Sequence, residues 1–349
     1  MGRVRWAAPL HGGGGGEGGS LDDVSATDDT APSVPSPDAP RLEELGLRRG
    51  ALVAGAYRIL RPLGAGGMGL VALARDEKLE RLVALKFIRP ELFEREELRA
   101  YFVDEARAMA RVVHPNVLVV HAFGEHDRVP YFVMEHVDGP SAEEWLADAR
   151  RAGAAPDLDE GARILDQACL GVAAVHASAT VHRDLKPSNL LMTPDLQVRV
   201  SDLGVARILE GGASGAGRLV GSAAYMAPEA TLGEELPSEL ALRRDVYALG
   251  CIAYEILTGR APFEAPTDTG LMAKHLLDVP PRPTELRADL PAGYDPVLLR
   301  AVDKDVHRRW PTVEALREAL ARARAGTLEP ARILIADDDP DWCALLSDA

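Results

Sequence analysis

The sequence predicts an α+β fold: a small antiparallel β-sheet lobe with one key helix, followed by a larger, mainly helical lobe. Two observations predict it. From about residue 57 to about residue 138, short runs alternate apolar and polar residues, the period of a strand with one buried face. Beyond residue 140, apolar residues recur at three- and four-residue steps over longer stretches, the period of an amphipathic helix.

Before both lies a leader, residues 1–45, rich in Gly, Pro, Ser and Asp ("HGGGGGEGGSLDDVSATDDTAPSVPSPDAP"); it offers little to bury, and disorder is its expected state. The folded part is expected to begin near "GAYRILRPLG", residues 55–64. Strands follow in "YRILRPL", "GLVALARD", "RLVALKFI", "VLVVHAFG" and "YFVMEHV", interrupted by one helix in "EELRAYFVDEARAMARVV". The helices of the second lobe are read from "EGARILDQACLGVAAVHASA", "RRDVYALGCIAYEILTG", "PVLLRAVDK" and "TVEALREALARARA", several with Gly or Pro nearby as a stop.

With 349 residues and 47% apolar content the chain can bury a sizeable core, and its net charge of −15 argues against nucleic acid as a partner. No apolar run approaches the roughly eighteen residues of a membrane span, and the start has no apolar signal core. Of three cysteines, Cys169 and Cys251 sit in apolar helical stretches, where a buried inert thiol is the expectation. The composition reads as a soluble protein of a reducing cytoplasm, with no membrane partner.

Two features point to chemistry. Gly64, Gly66 and Gly69 form G-x-G-x-x-G, which in a dinucleotide-binding fold ends a strand and opens a helix. Here the run continues into a second strand-like segment, which favours a glycine-tipped hairpin: either a flexible turn or a backbone cradle for an anion. The second feature is Lys86 in the apolar run "VALKFI". Its ammonium must reach water from an edge strand or meet a carboxylate and a phosphate. Glu105 can supply that carboxylate from the inward face of the helix; adjacent Asp104 points about 100° away.

"GAGGMGLV", "VALK", Glu105, "HRDLKPSN", "SDLG" and "APE" stand in the order and spacing of the protein kinase family. More narrowly the chain resembles the eukaryotic-like Ser/Thr kinases of bacteria, whose glycine loops often read GxGGMG. The resemblance implies a bilobal kinase domain over residues 57–323, with an N-lobe of about 57–138 and a C-lobe of about 139–323. It implies that Asp184 accepts the hydrogen bond of a substrate hydroxyl, that Lys186 neutralises charge on the γ-phosphate, and that Asn189 and Asp202 ligate Mg²⁺. Lys86, held by Glu105, would grip the α- and β-phosphates of ATP. The loop Leu63, Gly64, Ala65, Gly66, Gly67, Met68, Gly69, Leu70 and Val71 would cover the nucleotide. Ala84, Met134 and Leu191 would complete an adenine slot with Leu63 and Val71, and backbone groups of Glu135 and Val137 would meet the adenine edge. The same apolar residues also suit an ordinary core.

Lysine two places after Asp184 matches the Ser/Thr class, so the implied partners are proteins presenting Ser or Thr hydroxyls. Glu229 is expected to pair with Arg309, Asp245 to hold the backbone of the catalytic loop, and His182 to pack against Leu203. Arg183 meets an activation-loop phosphate in relatives, yet "LGVARILEGGASGAGRLVGSAAYMAPE" carries only Ser214 and Ser222 as hydroxyl residues besides its tyrosine. Ser222 stands where relatives have threonine, which leaves Ser214 as the ordinary phosphosite candidate. The D-F-G of the family reads Asp202-Leu203-Gly204. "RILIADDDP", in the stretch 331–349, resembles the first strand and acidic turn of a receiver domain, with Asp337 and Asp338 as its acidic pair; a strand-like tail without a role is the other reading. A catalytically silent scaffold is the alternative to an active kinase, and the intact set Lys86, Glu105, Asp184, Asn189 and Asp202 speaks against it. The "APE" segment speaks against a small-molecule kinase.

Overall fold

The computed structural model describes residues 42–66, 69–89, 107, 109–202 and 223–326. Gly67, Met68, Glu105, the stretch with Leu203, Gly204, Ser214 and Ser222, and the tail 331–349 lie outside the described residues.

Six strands form one antiparallel sheet: β1 (Leu52–Val53), β2 (Tyr57–Gly66), β3 (Gly69–Asp76), β4 (Arg81–Ile88), β5 (Val120–His126) and β6 (Val129–Glu135), in the order β1-β2-β3-β4-β6-β5. Strand alternation sorts β4 cleanly. Val83, Leu85 and Phe87 join one apolar cluster, while Ala84 and Ile88 join another on the opposite face, with Lys86 between them in sequence. β4 lies between β3 and β6, and the Lys86 side chain is 17% exposed. Lys86 therefore does not snorkel from an edge strand.

β2 and β3 pair directly across Gly66 and Gly69. This is the hairpin reading of the glycine run, and it removes the strand-to-helix geometry that a dinucleotide site needs. A Cβ on Gly69 would lie 1.8 Å from the carbonyl oxygen of Phe87, so the third glycine is required by the packing of β3 on β4. Gly69→Ala is expected to cost about 1–3 kcal/mol by overpacking, read as a lower urea midpoint; an unchanged midpoint would refute this account.

Residues 42–45, at the end of the stretch read as leader, are among the described residues. Leu42–Leu45 form a short 3-10 turn, and Leu42, Leu45 and Leu47 share a core with Val53, Ile59, Val83, Phe87 and Tyr131. These leucines cover the face of the sheet turned away from Lys86. Their signal is tertiary, and the surrounding Gly and Pro content conceals it.

The second lobe is built on α1 (Ala142–Arg151), α2 (Leu158–Ala177), α3 (Arg243–Thr258), α4 (Asp268–Leu277), α5 (Tyr294–Ala301) and α6 (Val313–Arg324). α3 is the pillar of this lobe: from Asp245 to Thr258 every residue is buried, as expected of a helix with no polar face, and Gly259 ends it at φ 82°. α1 and α4 are additions to the sequence reading. α1 is polar overall, but Ser141 and Glu144 form a reciprocal capping box that starts it. Thr267 caps α4 by accepting from the Gly270 amide.

A two-stranded hairpin, β7 (Leu190–Met192) and β8 (Val198–Val200), lies at the junction of the lobes. The apolar run 117–124, expected as one strand, divides there. The Leu118 amide donates to Val200 at 2.9 Å and the Val200 amide to Asn116 at 2.9 Å, while β5 starts only at Val120. Among the described residues no helix is long and apolar enough to cross a membrane.

Candidate active site

The loop His182–Asn189 is held by a buried carboxylate on α3. Asp245 Oδ2 accepts from the His182 amide at 2.7 Å and Oδ1 from the Arg183 amide at 2.9 Å, as the sequence reading expects of this residue. Arg183 turns the chain with φ 67°. His176 on α2, absent from the sequence reading, contacts Asp245 Oδ2 through Nε2 at 2.7 Å. Burial opposes ionisation of Asp245, but the hydrogen bond and charge of His176 outweigh it and hold the carboxyl below its ordinary range. No local pattern announces His176, since 69 residues separate the pair.

His182 is fully buried and cross-links the same loop. Its Nε2 lies 3.0 Å from the Ser201 carbonyl and therefore donates, which leaves Nδ1 to accept from the Asp184 amide at 3.4 Å. Burial pushes its imidazole below the usual histidine range, favouring this neutral form. This is a scaffold role; the expected partner Leu203 lies outside the described residues.

On this frame three polar side chains converge. Asp184 Oδ2 accepts from Lys186 Nζ at 2.9 Å and from Asn189 Nδ2 at 3.3 Å, and Asn189 Nδ2 also donates to the Asp184 carbonyl at 2.8 Å. The Asn189 carbonyl in turn accepts the amide and hydroxyl of Ser201, at 2.9 and 3.2 Å. One residue on, Asp202 has φ 56° and Lys86 Nζ donates to its Oδ1 at 2.6 Å across 116 positions of sequence. Desolvation opposes the charge on Asp202, yet Lys86, with help from Lys186, holds its carboxyl below the ordinary range. Glu105, the partner expected for Lys86, lies outside the described residues.

Beside these charges Leu63, Val71, Ala84, Met134, Val137 and Leu191 form one apolar cluster with Ile88, Leu118, Phe132 and Val120. Five of the six are those named for the adenine slot, and Val137 is named for its backbone at the adenine edge. At its edge lie the end of β6, where the Glu135 amide donates to Val119 at 2.9 Å, and the middle of the β7–β8 hairpin, where Leu191 faces Arg199.

Elsewhere in the helical lobe, Glu229 accepts from both terminal nitrogens of Arg309, at 2.9 and 2.7 Å, the pairing that the resemblance implies. Tyr225 donates to Glu255 Oε2 at 2.6 Å, and Arg150 pairs with the other oxygen of that buried carboxylate. A recess walled by Leu185, Tyr225, Met226, Ala230 and Ala248 opens next to Asp184.

Known proteins resemble this chain in sequence and in fold. The family described as "Protein kinase domain" matches residues 57–318. The serine/threonine-protein kinase PknJ of Mycobacterium tuberculosis is 38% identical over 289 residues, covering 80% of this chain and 47% of that protein. PrkC of Bacillus subtilis, also a serine/threonine-protein kinase, is 32% identical over 293 residues, covering 83% of this chain and 44% of that one. The chain thus spans about half the length of the curated relatives it matches. Among solved structures, the PknI kinase domain of Mycobacterium tuberculosis superposes with a TM-score of 0.64 at 28% identity, covering 80% of this chain and 99% of that one.

Proposed function

Because the chain belongs to the protein kinase domain family, we propose that it transfers the γ-phosphate of ATP to Ser or Thr hydroxyls of proteins. The observation that carries this reading is the 2.6 Å contact between Lys86 Nζ and Asp202 Oδ1, a cation of the sheet and a carboxylate of the helical lobe at one point. It stands next to the Asp184–Lys186–Asn189 cluster and the apolar slot.

Phosphoryl transfer asks a protein for alignment and charge stabilisation more than for covalent chemistry. In this reading Asp184 orients the acceptor hydroxyl for in-line attack and accepts its hydrogen bond. Lys186 offsets charge on the moving phosphoryl group, and Lys86 grips the α- and β-phosphates. Leu63, Val71, Ala84, Met134 and Leu191 enclose the adenine, and the backbone of Glu135 and Val137 meets its edge. The glycine loop from Gly64 to Gly69 covers the phosphates.

Mg²⁺ suits the donors available. Asn189 commits its amide nitrogen to Asp184, so its amide oxygen is the end offered to a cation, and Asp202 already takes the charge of an ammonium. Hard oxygen ligands of this kind are those Mg²⁺ prefers. When bound, the ion would neutralise phosphate charge, held by Asn189 and Asp202. The reading includes a cytoplasmic setting, supported by the free buried thiols of Cys169 and Cys251. It also keeps the tail as the opening strand of a receiver-like fragment.

Incubation with Mg-ATP and a generic basic protein, followed by mass spectrometry, is expected to find phosphoserine or phosphothreonine on that protein or on the chain itself. The unliganded and Mg-ATP-loaded chains should also differ in melting temperature; at a hundred times the dissociation constant, ligand linkage contributes about 2.7 kcal/mol. Stabilisation by Mg-ATP with no phosphorylated residue would reject transfer and favour the scaffold.

A further inference from the structure

Arg199 of β8, a residue with no role so far, forms an ion pair with the side chain of Glu135 at the end of β6, whose backbone is named above for the adenine edge. Arg199 Nε donates to Glu135 Oε1 at 3.2 Å, with side chains 20% and 27% exposed. Each partner is rigidly mounted. Val198 and Val200, on either side of Arg199, are buried and pair with Met192 and Leu190, and Val200 is bonded to Asn116 and Leu118 as well. The Glu135 amide donates to the Val119 carbonyl at 2.9 Å, and Glu135 Oε2 accepts from the Val119 amide at 3.5 Å. Arg199 stands directly opposite Leu191, and Glu135 follows Met134; both Leu191 and Met134 belong to the apolar cluster of the slot.

We infer that the Arg199–Glu135 pair is a positioning clamp for the adenine slot, fixing the strand end that meets the base edge against the hairpin that carries Leu191. The inference rests on the nucleotide-binding reading of that slot. Arg199 touches no part of the proposed ligand; it acts through Glu135. Without the pair, the spacing between the Glu135 backbone and Leu191 varies, the binding-competent spacing becomes a fraction of the ensemble, and apparent affinity falls by that fraction.

The test is equilibrium binding of ATP and of adenosine to the full chain, measured by calorimetry, with Arg199→Ala and Arg199→Lys. Arg199→Ala is expected to raise both dissociation constants by about three- to fivefold, the range of a partly buried ion pair. Saturating turnover should stay within about twofold of the unaltered chain on the same grounds. Arg199→Lys, whose ammonium can reach the same carboxylate oxygen, should restore most of the affinity. An unchanged adenosine constant in Arg199→Ala would overturn the clamp. So would a loss confined to ATP, which would mark a field acting on phosphate, or an equal loss in the lysine variant. Because binding is read without turnover, a chain that binds both ligands and transfers no phosphate defeats the kinase reading alone.

Discussion

Asp184→Asn should lower phosphate transfer to a protein hydroxyl by about 10²- to 10⁴-fold, the range for removing a positioned general acid or base. The substitution keeps shape and volume but removes the charge that, in the proposed reading, accepts the hydroxyl proton's hydrogen bond. Asp184 is 6% exposed, its Oδ2 engages Lys186 and Asn189, and its backbone is tied through His182 to Ser201 and Asp245. That framework is mostly backbone and does not depend on the carboxylate, so the variant should fold and bind ATP nearly as the unaltered chain does. The result is therefore a drop in kcat at little altered ATP affinity, the signature of an interaction made chiefly in the transition state. Labelled transfer from ATP to a basic protein, with both chains purified identically, reads it. Equal labelling would assign the activity to something other than Asp184.

Asp184 and Asn189 were legible through the resemblance to the protein kinase family, Lys86 through its own local surroundings. Lys86 stands out because a charge within a strand of Val, Ala, Leu and Phe must have a partner. The strands of the sheet were legible as short apolar runs, although burial does not alternate along them: all six residues from Val129 to Met134 in β6 are buried. Relations between distant segments left no local trace, and the two that were expected, Glu229 with Arg309 and Asp245 with the catalytic loop, came from the resemblance. Arg199 and Glu135 lie 64 residues apart and His176 and Asp245 lie 69 apart, and each looks like an ordinary solvated group in its own segment. Helix α1 escaped notice because its polar composition hides a start written only in the Ser141–Glu144 cap. Leu42, Leu45 and Leu47 became core only when the sheet offered them a face.

The largest effect on stability is expected at Arg309. Its side chain is fully buried against a Glu229 side chain only 6% exposed, with two hydrogen bonds between them. It also donates to the carbonyls of Asp303, Arg243 and Lys304 and lies 4.7 Å over the ring of Tyr247. Arg309→Ala would leave the Glu229 carboxylate desolvated with its charge uncompensated, a loss of about 3–5 kcal/mol, visible as a large fall in the urea midpoint. Arg309→Lys keeps the charge but not the two-pronged geometry and should fall between the two. The double variant Glu229→Gln with Arg309→Met removes both charges together and should recover part of the loss, since an apolar replacement avoids stranding either ion. If the double variant is as unstable as Arg309→Ala, the uncompensated charge is not the cause, and the loss lies in the packing over Tyr247 and the hydrogen bonds to the Asp303, Arg243 and Lys304 carbonyls. Function separates these further. Glu229 belongs to the short helix Pro228–Thr231, which follows Tyr225 and Met226 at the recess beside Asp184. A protein substrate should therefore lose apparent affinity in the destabilised variants, while ATP, for which the proposed slot lies beside the sheet, should lose much less.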